Sequence, residues 1–512
     1  MKINILFTAV LIAILLLSAC RSAPHKEEIN LDELTVSDVH RAFENGDYNC
    51  RQLVEAYLER IRELDHTINS LTTINPDALK RAVELDREYS ETGVLKPLHG
   101  IPLVVKDNIN TAGMPTTAGS PALKDFIPGD DAFIIRKLVE AGAIIIAKSN
   151  MAEWAFSPMH TESSTAGTTR NPYNTEYVPA GSSGGTAAAV ASNFAVAGLG
   201  TDTGNSIRGP SSHCALVGFR TTMGLVSRSG IVPLYLRNDV VGPMCRTVED
   251  ATRVLDIIAG YDPDDPLTSY SDDKIPDTYL QFLDKDGLKG KRIGVLADLA
   301  FNNPGPEIKN LFNQAVKDIE TLGAVVIDSV YVLRFNELQR NQWCSTFRHD
   351  LEAFLAEYVK TDSLQTIEDI INAGSKSEFA AARLRESAEV EGSYGQNESE
   401  CLDAFTDTRR IAFRRAIENV MDSLQLDALI YPTWNNKPAR IEAFREEYRG
   451  DNNQVIAPHT GHPAFTVPMG YAEGNLPAGI QFLGRMFDEA TIIELSYAYE
   501  QGTMHRKPPE IF

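Results

Sequence analysis

AGSSGGTAAAVA, residues 180–191, is the stretch of this 512-residue chain that most restricts its fold and its chemistry. Glycines around two serines allow backbone geometries that other residues cannot adopt. The alanine-rich continuation from Thr186 predicts a helix packed closely against its neighbours. The free N-terminal amides of that helix would lie beside Ser182 and Ser183. An ordinary glycine-rich helix cap fits this segment as well, and no G-K-[ST] follows, as it would in a phosphate-binding loop.

GLGTDTGNSIRGP, residues 198–210, comes soon after and predicts a tight polar loop. The backbone N–H groups of Thr203, Gly204, Asn205 and Ser206 are candidates to converge on a developing oxyanion. Removing one such donor costs about 2.7 to 4 kcal/mol of transition-state stabilisation. Taken alone, the segment better fits a loop that merely buries a serine.

Lys106 lies in GIPLVVKDNI, residues 100–109, whose β-branched run predicts a short buried strand. An ammonium ion is costly to bury, so a lysine here is expected to have a lowered pKa and to act as a base in its neutral form. The alternative is a lysine at the end of the strand that pairs with its neighbour Asp107.

Hydrophobic periodicity around these segments predicts the fold class. Residues 31–95 carry apolar side chains at helical spacing and are expected to form helices. Helix and buried strand then alternate through DAFIIRKLVEAGAIIIAKSN, KRIGVLADL, TLGAVVIDSVYV, LDALIYPT and HPAFTVPMG, and residues 345–420 are expected to be largely helical. Such alternation is typical of an α/β fold in which helices cover both faces of a sheet.

The order and spacing of the three segments resemble the amidase signature family. The resemblance extends to KSNMAEWAFSPMHTESSTAGTTRNPYN, residues 148–174, and to GHPAFTVPMG and LPAGIQFLGR near the C-terminus. It covers essentially all of residues 31–512 and implies one amidase domain there, with a helical N-terminal part at 31–95. It also implies a mixed central β-sheet covered by α-helices on both faces.

The resemblance implies hydrolysis of a carboxylic amide to an acid and ammonia or an amine. Ser206 is implied as the nucleophile that forms an acyl-enzyme, Ser182 as a proton relay and neutral Lys106 as the base. The peptide bond Gly181–Ser182 is implied to be cis. The expected substrate is a small-molecule or peptide amide of unspecified identity. Neither a metal nor an organic cofactor is implied, and no obligate protein partner is expected.

Further positions matched by the resemblance have supporting roles. Ser183, Asp202 and Arg208 are expected to hold the loop by hydrogen bonds. Asn205 stands where the family commonly has glycine. If that position requires a positive φ, asparagine is the non-glycine residue that tolerates it best. Its added side chain is expected to influence substrate specificity.

The N-terminus predicts export. An apolar run at residues 3–17 follows Lys2 and is shorter than the roughly 20 residues that span a bilayer. Small residues and Cys20 close the run, so residues 1–19 resemble a bacterial lipoprotein signal peptide, with lipidation at Cys20 and a polar tether at 20–30. We therefore expect a cell-envelope protein held at a membrane by its lipid. A plain signal peptide or an uncleaved anchor is the alternative.

Charge and cysteine usage exclude some functions. A formal net charge of −22, without a basic patch, disfavours binding to nucleic acid. The cysteines after Cys20 have no C-x-x-C pair and no metal-ligand spacing, so no metal site is expected. Most are expected to be buried thiols. One disulfide of unassigned pairing stays open among Cys50, Cys214, Cys245, Cys344 and Cys401.

Other functions are weighed against amide hydrolysis. Residues 181–185 also satisfy the G-x-S-x-G elbow of α/β-hydrolases, in which Ser183 would attack with His459, His462 or His505 as its base. That elbow must follow a strand, and RNPYNTEYVPA has no strand pattern. An inactive lipid-anchored binding protein is opposed by competent residues at all three catalytic positions. A role within an amidotransferase complex that uses glutamine on aminoacyl-tRNA is opposed by the export signal and by the acidic charge.

Overall fold

A mixed 11-stranded sheet forms the centre of the computed structural model, which describes residues 29–390 and 401–510. A short hairpin of two further strands lies outside this sheet. The strands are β1 (Leu71–Ile74), β2 (Pro102–Lys106), β3 (Ile144–Ser149), β4 (Glu162–Ser163), β5 (Gly167–Thr168), β6 (Ala197–Asp202), β7 (Val217–Arg220), β8 (Val240–Cys245), β9 (Arg292–Leu296), β10 (Val325–Val330), β11 (Ala428–Pro432), β12 (Ala464–Ala472) and β13 (Leu476–Leu483).

Helices occupy most of the connections between these strands. The α-helices are α1 (Val36–Asn45), α2 (Cys50–Ile68), α3 (Ala78–Thr92), α4 (Phe133–Glu140), α5 (Gly184–Ala191), α6 (Arg208–His213), α7 (Val248–Ile258), α8 (Ala297–Ala300), α9 (Pro306–Thr321), α10 (Phe335–Leu338), α11 (Phe347–Phe354), α12 (Ile367–Ala373), α13 (Glu378–Glu389), α14 (Thr408–Ser423), α15 (Phe444–Glu447), α16 (Ala457–Thr460) and α17 (Glu489–Thr503). A π-helical turn, Leu355–Val359, continues α11.

The strand order in the sheet is β1-β3-β2-β6-β8-β7-β12-β13-β11-β9-β10. β3, β2 and β6 run parallel, as do β11, β9 and β10, and the other neighbours are antiparallel. Every residue of β2, β3, β6, β8 and β13 is buried. Because side chains alternate between the two faces of a strand, burial of all of them requires cover on both faces. The prediction of a mixed α/β sheet covered on both sides is confirmed.

Most of residues 31–95 form helices, as the periodicity predicts. Thr35 and Asn49 start α1 and α2 with reciprocal capping boxes, which satisfy free amides of the first turn. The prediction missed β1, whose sequence Leu-Thr-Thr-Ile pairs antiparallel with β3 at one edge of the sheet. Two β-branched threonines favour the extended strand here.

In the described part of residues 345–420, α11, α12 and α13 pack into one apolar cluster with side chains from residues 118–156 and 232–235. Phe347 lies 4.7 Å from Phe156 and 6.1 Å from Trp154, measured between ring centroids. Phe354 and Leu384 belong to the same buried cluster. The predicted helical character of this region is therefore found, and it supplies one side of the cavity described below.

The described residues from Asp32 onward pack as one compact unit. The predicted signal peptide at residues 1–19, the lipidation site Cys20 and nearly all of the tether at 20–30 lie outside the described residues. Within residues 29–390 and 401–510, no helix is both long and apolar enough to cross a bilayer.

Candidate active site

Two neighbouring parallel strands bring the predicted site residues to one edge of the sheet. β2 ends at Lys106 and β6 ends at Asp202, with Val105 opposite Leu199. Because the carboxyl ends of parallel strands lie at the same edge, the loop that follows β6 reaches the end of β2. This loop carries Ser206, so segments separated by about a hundred residues meet here.

Lys106 is fully buried and its amine contacts Ser182. Its Nζ lies 2.7 Å from Ser182 Oγ, 2.7 Å from Thr201 Oγ1 and 3.4 Å from the Thr201 carbonyl oxygen. Burial lowers the pKa of Lys106 to about 7, although the carboxylates of Asp239 and Asp202 act in the opposite direction. A substantial fraction of the amine is therefore neutral at neutral pH.

Asp107 does not pair with Lys106, so that alternative is wrong. Its carboxylate lies 3.6 Å from Nζ of Lys148, a second buried lysine on β3. Lys148 also donates to the Ile109 carbonyl oxygen at 2.6 Å. The two buried lysines therefore differ in their partners: Lys148 is ion-paired with Asp107, whereas Lys106 faces Ser182.

Thr201 is a site residue that the sequence analysis missed. Its Oγ1 accepts from Lys106 and also from Asn108 Nδ2 at 3.2 Å. Asn108 in turn donates to the Val232 carbonyl oxygen at 3.1 Å, which fixes the amide. The only signal in the sequence was the position of Thr201 within the quoted loop segment, because its partner lies on another strand.

Close packing explains the glycines around Ser182. A Cβ on Gly181 would lie 2.4 Å from the His160 carbonyl oxygen, and one on Gly185 would lie 2.1 Å from the carbonyl oxygen of Asn150. Such contacts exclude any side chain. The Gly181–Ser182 peptide bond is cis, as the resemblance implied. The Ser182 carbonyl accepts from the Ala152 amide at 3.0 Å.

Asp202 holds the loop after β6 through two arginines. Arg208 Nε donates to it at 3.0 Å and Arg220 Nη1 at 2.9 Å, and all three side chains are buried. Burial by itself would raise the pKa of the Asp202 carboxyl, but the two guanidinium groups outweigh burial and lower it to about 2. Arg208 Nη2 also donates to the Gly204 carbonyl oxygen at 2.7 Å. The loop is therefore fixed by a buried ion network.

The loop from Thr203 to Ser206 presents free backbone amides. Thr203 Oγ1 donates to the buried Asp239 carboxylate at 2.5 Å, which anchors the start of the loop. Among the hydrogen bonds of the described residues, none uses the backbone amides of Thr203, Gly204, Asn205 or Ser206 as donors. These four N–H groups therefore remain available to an external acceptor.

Ser206 and Asn205 lie side by side in this loop. Ser206 Oγ donates weakly to Asn205 Oδ1 at 3.4 Å, and Asn205 Nδ2 donates to the Pro158 carbonyl oxygen at 3.2 Å. No hydrogen bond joins Ser182 to Ser206 directly in the described chain. Asn205 is not among the residues with positive φ, so asparagine is not needed here for a left-handed backbone.

A cavity of about 740 Å³ opens against the loop from Thr203 to Ser206. Of the three predicted catalytic residues, Ser206 lines this cavity, whereas Lys106 and Ser182 are completely buried. A space of this volume accommodates a drug-sized ligand. Its other walls are mainly apolar with a few polar groups: Ala155, Phe156, Pro158, Met159, Leu234, Tyr235, Trp343, Cys344, Ser345, Phe379, Arg383, Glu386, Tyr448 and Gln454.

The α/β-hydrolase alternative finds no support in the geometry. Ser183 Oγ donates to the Thr201 carbonyl oxygen at 3.2 Å and to no histidine in the described chain. Each of the three histidine candidates lies beside a polar group other than Ser183. His459 Nε2 lies 3.0 Å from the Gln454 carbonyl oxygen, His462 Nε2 lies 3.4 Å from Glu418, and His505 Nε2 lies 3.5 Å from Asp318.

The cysteines form one disulfide, Cys344–Cys401, and three buried thiols, Cys50, Cys214 and Cys245, in the part of the chain that is described. The sequence left the pairing open because it cannot specify which distant residues meet. Across residues 29–390 and 401–510, no cluster of three or more His, Cys, Asp or Glu side chains is arranged to hold a metal ion.

Known proteins are similar to this chain over almost its whole length. The family model described as Amidase matches residues 52–493. A probable amidase of Arabidopsis thaliana is 34% identical, covering 94% of this chain and 92% of the relative. The native peptide amidase from Stenotrophomonas maltophilia has a TM-score of 0.84 at 36% identity, covering 94% of this chain and 99% of that one. An amidase family protein from Bacillus anthracis has a TM-score of 0.82 at 32% identity, covering 95% of this chain and 93% of that one.

Proposed function

The chain belongs to the amidase signature family, and from this we propose that it hydrolyses a carboxylic amide through an acyl-enzyme on Ser206. Ser182 is the proton relay and the neutral amine of Lys106 is the base. Membership of the family supports amide hydrolysis in general. The observation that carries the specific mechanism is the 2.7 Å contact between Lys106 Nζ and Ser182 Oγ in fully buried surroundings.

A neutral amine has two N–H donors and one lone pair, and the surroundings of Lys106 match this inventory. The two oxygens of Thr201, at 2.7 and 3.4 Å, accept the N–H groups. The lone pair then faces the Ser182 hydroxyl at 2.7 Å. A base oriented in this way accepts a proton from Ser182 without rearranging.

In the first half-reaction, Ser206 Oγ attacks the amide carbonyl carbon. Its proton passes to Ser182 Oγ while the proton of Ser182 passes to Lys106. The carbon–nitrogen bond then breaks, and the proton returns from Lys106 through Ser182 to the departing nitrogen. Ammonia or an amine leaves, and the acyl group stays on Ser206 as an ester.

The carbonyl oxygen becomes negatively charged in this step, and the free amides of residues 203–206 are its proposed donors. The Asp202–Arg208 pair and the Thr203–Asp239 contact hold those amides in place before substrate binds. Donors that need no reorganisation stabilise the transition state most effectively.

In the second half-reaction, water attacks the ester and gives its proton to the same relay. The bond between the acyl carbon and Ser206 Oγ breaks, the proton returns to Ser206, and the acid departs. For both halves the Ser206 hydroxyl must rotate from Asn205 Oδ1 toward Ser182. The present hydrogen bond from Ser206 Oγ to Asn205 Oδ1, at 3.4 Å, is weak, so breaking it costs little.

A fluorophosphonate probe and a panel of amides test the proposal. We expect the probe to modify Ser206, identified by mass spectrometry of the labelled peptide, and Ser206→Ala to lose both labelling and turnover. Ser212→Ala is the matched control, because this buried hydroxyl on α6 has no hydrogen-bond partner among the described residues. Labelling of Ser183, or turnover by Ser206→Ala, would reject the mechanism.

We also propose that the enzyme works in the cell envelope as a lipoprotein acylated at Cys20. The Cys344–Cys401 disulfide supports this location, because disulfides persist in oxidising compartments. Mass spectrometry of the N-terminal peptide from membrane fractions is expected to find a diacylglycerol or triacyl modification on Cys20. An unmodified Cys20 in a soluble fraction would reject the anchor.

A further inference from the structure

Trp343 covers the segment proposed to bind the oxyanion. A Cβ added to Gly204 would lie only 3.1 Å from Trp343 Cη2, so the indole edge occupies the space directly in front of that glycine. The ring meets His459 edge-on, with centroids 4.6 Å apart, and Tyr235 lies on another side at 6.4 Å. Trp343 lines the cavity and remains 45% exposed. A substrate bound at Gly204 would therefore touch this indole.

The backbone that carries Trp343 has little support of its own. Residues 343–345 belong to no helix or strand, and no hydrogen bond within the described residues uses their backbone or side-chain groups. Hydrogen bonds begin again at Thr346, whose Oγ1 donates to Asp350 at 2.5 Å. Within residues 343–345, the disulfide at Cys344 is therefore the one covalent or hydrogen-bonded tether of the described backbone, in addition to the ring contacts of Trp343.

The other end of the disulfide is firmly attached. Cys401 precedes Leu402, whose carbonyl oxygen accepts from Arg237 Nη2 at 2.6 Å. The same buried arginine donates to the Gln342 carbonyl oxygen at 3.1 Å and lies 3.3 Å from the Asp407 carboxylate. Arg237 thus joins the segments that contain Gln342 and Leu402. The disulfide Cys344–Cys401 holds residues 343–345, which form one wall of the cavity.

We propose that Trp343 is a specificity-determining residue of this site and that the Cys344–Cys401 disulfide positions it. The inference rests on the proposed amide hydrolysis. The flat indole favours substrates with a planar aromatic group next to the scissile carbonyl, because offset or edge-on ring contacts are favourable there. A dithiol reductant that transfers two electrons and two protons to the disulfide yields two thiols and its own cyclic disulfide. The wall is then released.

The measurement is a selectivity ratio: kcat/KM for an aromatic amide such as benzamide divided by kcat/KM for propionamide. We expect Trp343→Ala to lower this ratio about tenfold, mainly through KM for the aromatic amide, and Trp343→Phe to retain most of it. The paired variant Cys344→Ser with Cys401→Ser, and wild type treated with dithiothreitol, are expected to shift the ratio in the same direction.

A double-mutant design separates positioning from simple loss of fold. If the disulfide acts through the indole, dithiothreitol changes the ratio in wild type but not in Trp343→Ala, whose ring is already absent. Thermal melts of each variant report on folding. Trp343→Phe keeps an aromatic ring and therefore controls for collapse of the cavity. Turnover by wild type with an unchanged ratio in both Trp343→Ala and the reduced enzyme would overturn this inference alone. No turnover by wild type on any amide would overturn the proposed function and this inference together.

Discussion

The pH dependence of turnover tests the proposed role of Lys106 most directly. Its pKa falls from the ordinary 10.5 to about 7 because the amine is buried. The neutral fraction of such a base is about 0.1 at pH 6 and about 0.9 at pH 8. We therefore expect kcat/KM to rise about tenfold across this interval and then level off. An exposed lysine would be only about 0.3% neutral at pH 8, and its rate would keep rising toward pH 10.

The perturbation that isolates this group is Lys106→Met, assayed with the same amide at constant ionic strength. Loss of a general base costs about 10²- to 10⁴-fold in rate, so we expect a residual rate without the step near pH 7. A wild-type profile that is flat through neutrality, or a variant that keeps both the rate and the step, would refute the assignment.

The stability of Lys106→Met supplies the control. The substitution is expected to lower activity but not to lower the free energy of unfolding. Below about pH 7 the folded protein must bury a charged Lys106, and this cost disappears as the pH rises from about 7 toward 10.5. The pKa difference corresponds to at most about 5 kcal/mol. Lys106→Met avoids the cost, so chemical denaturation at neutral pH is expected to find the variant at least as stable as wild type. If the variant is inactive because it is unfolded, its loss of activity does not test the role of Lys106, and only the pH profile of the wild type does.

Four further outcomes follow from the same contacts. Ser182→Ala is expected to lower kcat more than 100-fold with KM nearly unchanged, because the relay is lost while the cavity is kept, and steady-state kinetics would measure this split. Thr201→Val removes an acceptor of the amine at 2.7 Å and is expected to shift the midpoint of the pH profile downward, since the ammonium form loses a partner. Asp202→Asn strips two buried guanidinium groups of their carboxylate and is expected to cost about 3 to 5 kcal/mol in urea unfolding. Removing the Cys344–Cys401 bond, which spans 57 residues, is expected to lower the free energy of unfolding by about 4 kcal/mol, and full retention of stability would contradict this loop-entropy argument.

The sequence was most informative where a local pattern carries the constraint. Lys106 was expected to be buried because its strand is apolar on both faces, and the structure places it in a fully covered strand. The glycines near Ser182 indicated a crowded backbone, which the close approach of residues 150 and 160 explains. In contrast, β1 was missed, because four residues with two threonines are too short for periodicity to separate a strand from a helix end.

The amino-acid sequence by itself determined the α/β class and the buried lysine, since each depends on residues close together in the chain, whereas the candidate nucleophile loop was identified through the family resemblance. Only the tertiary structure decided which groups touch: Thr201 against the amine, Lys148 against Asp107, and Cys344 against Cys401. It also decided that Trp343 lies over Gly204. The physical reason is that burial and periodicity act locally, whereas hydrogen bonds, ion pairs and disulfides depend on how distant segments are brought together by the sheet.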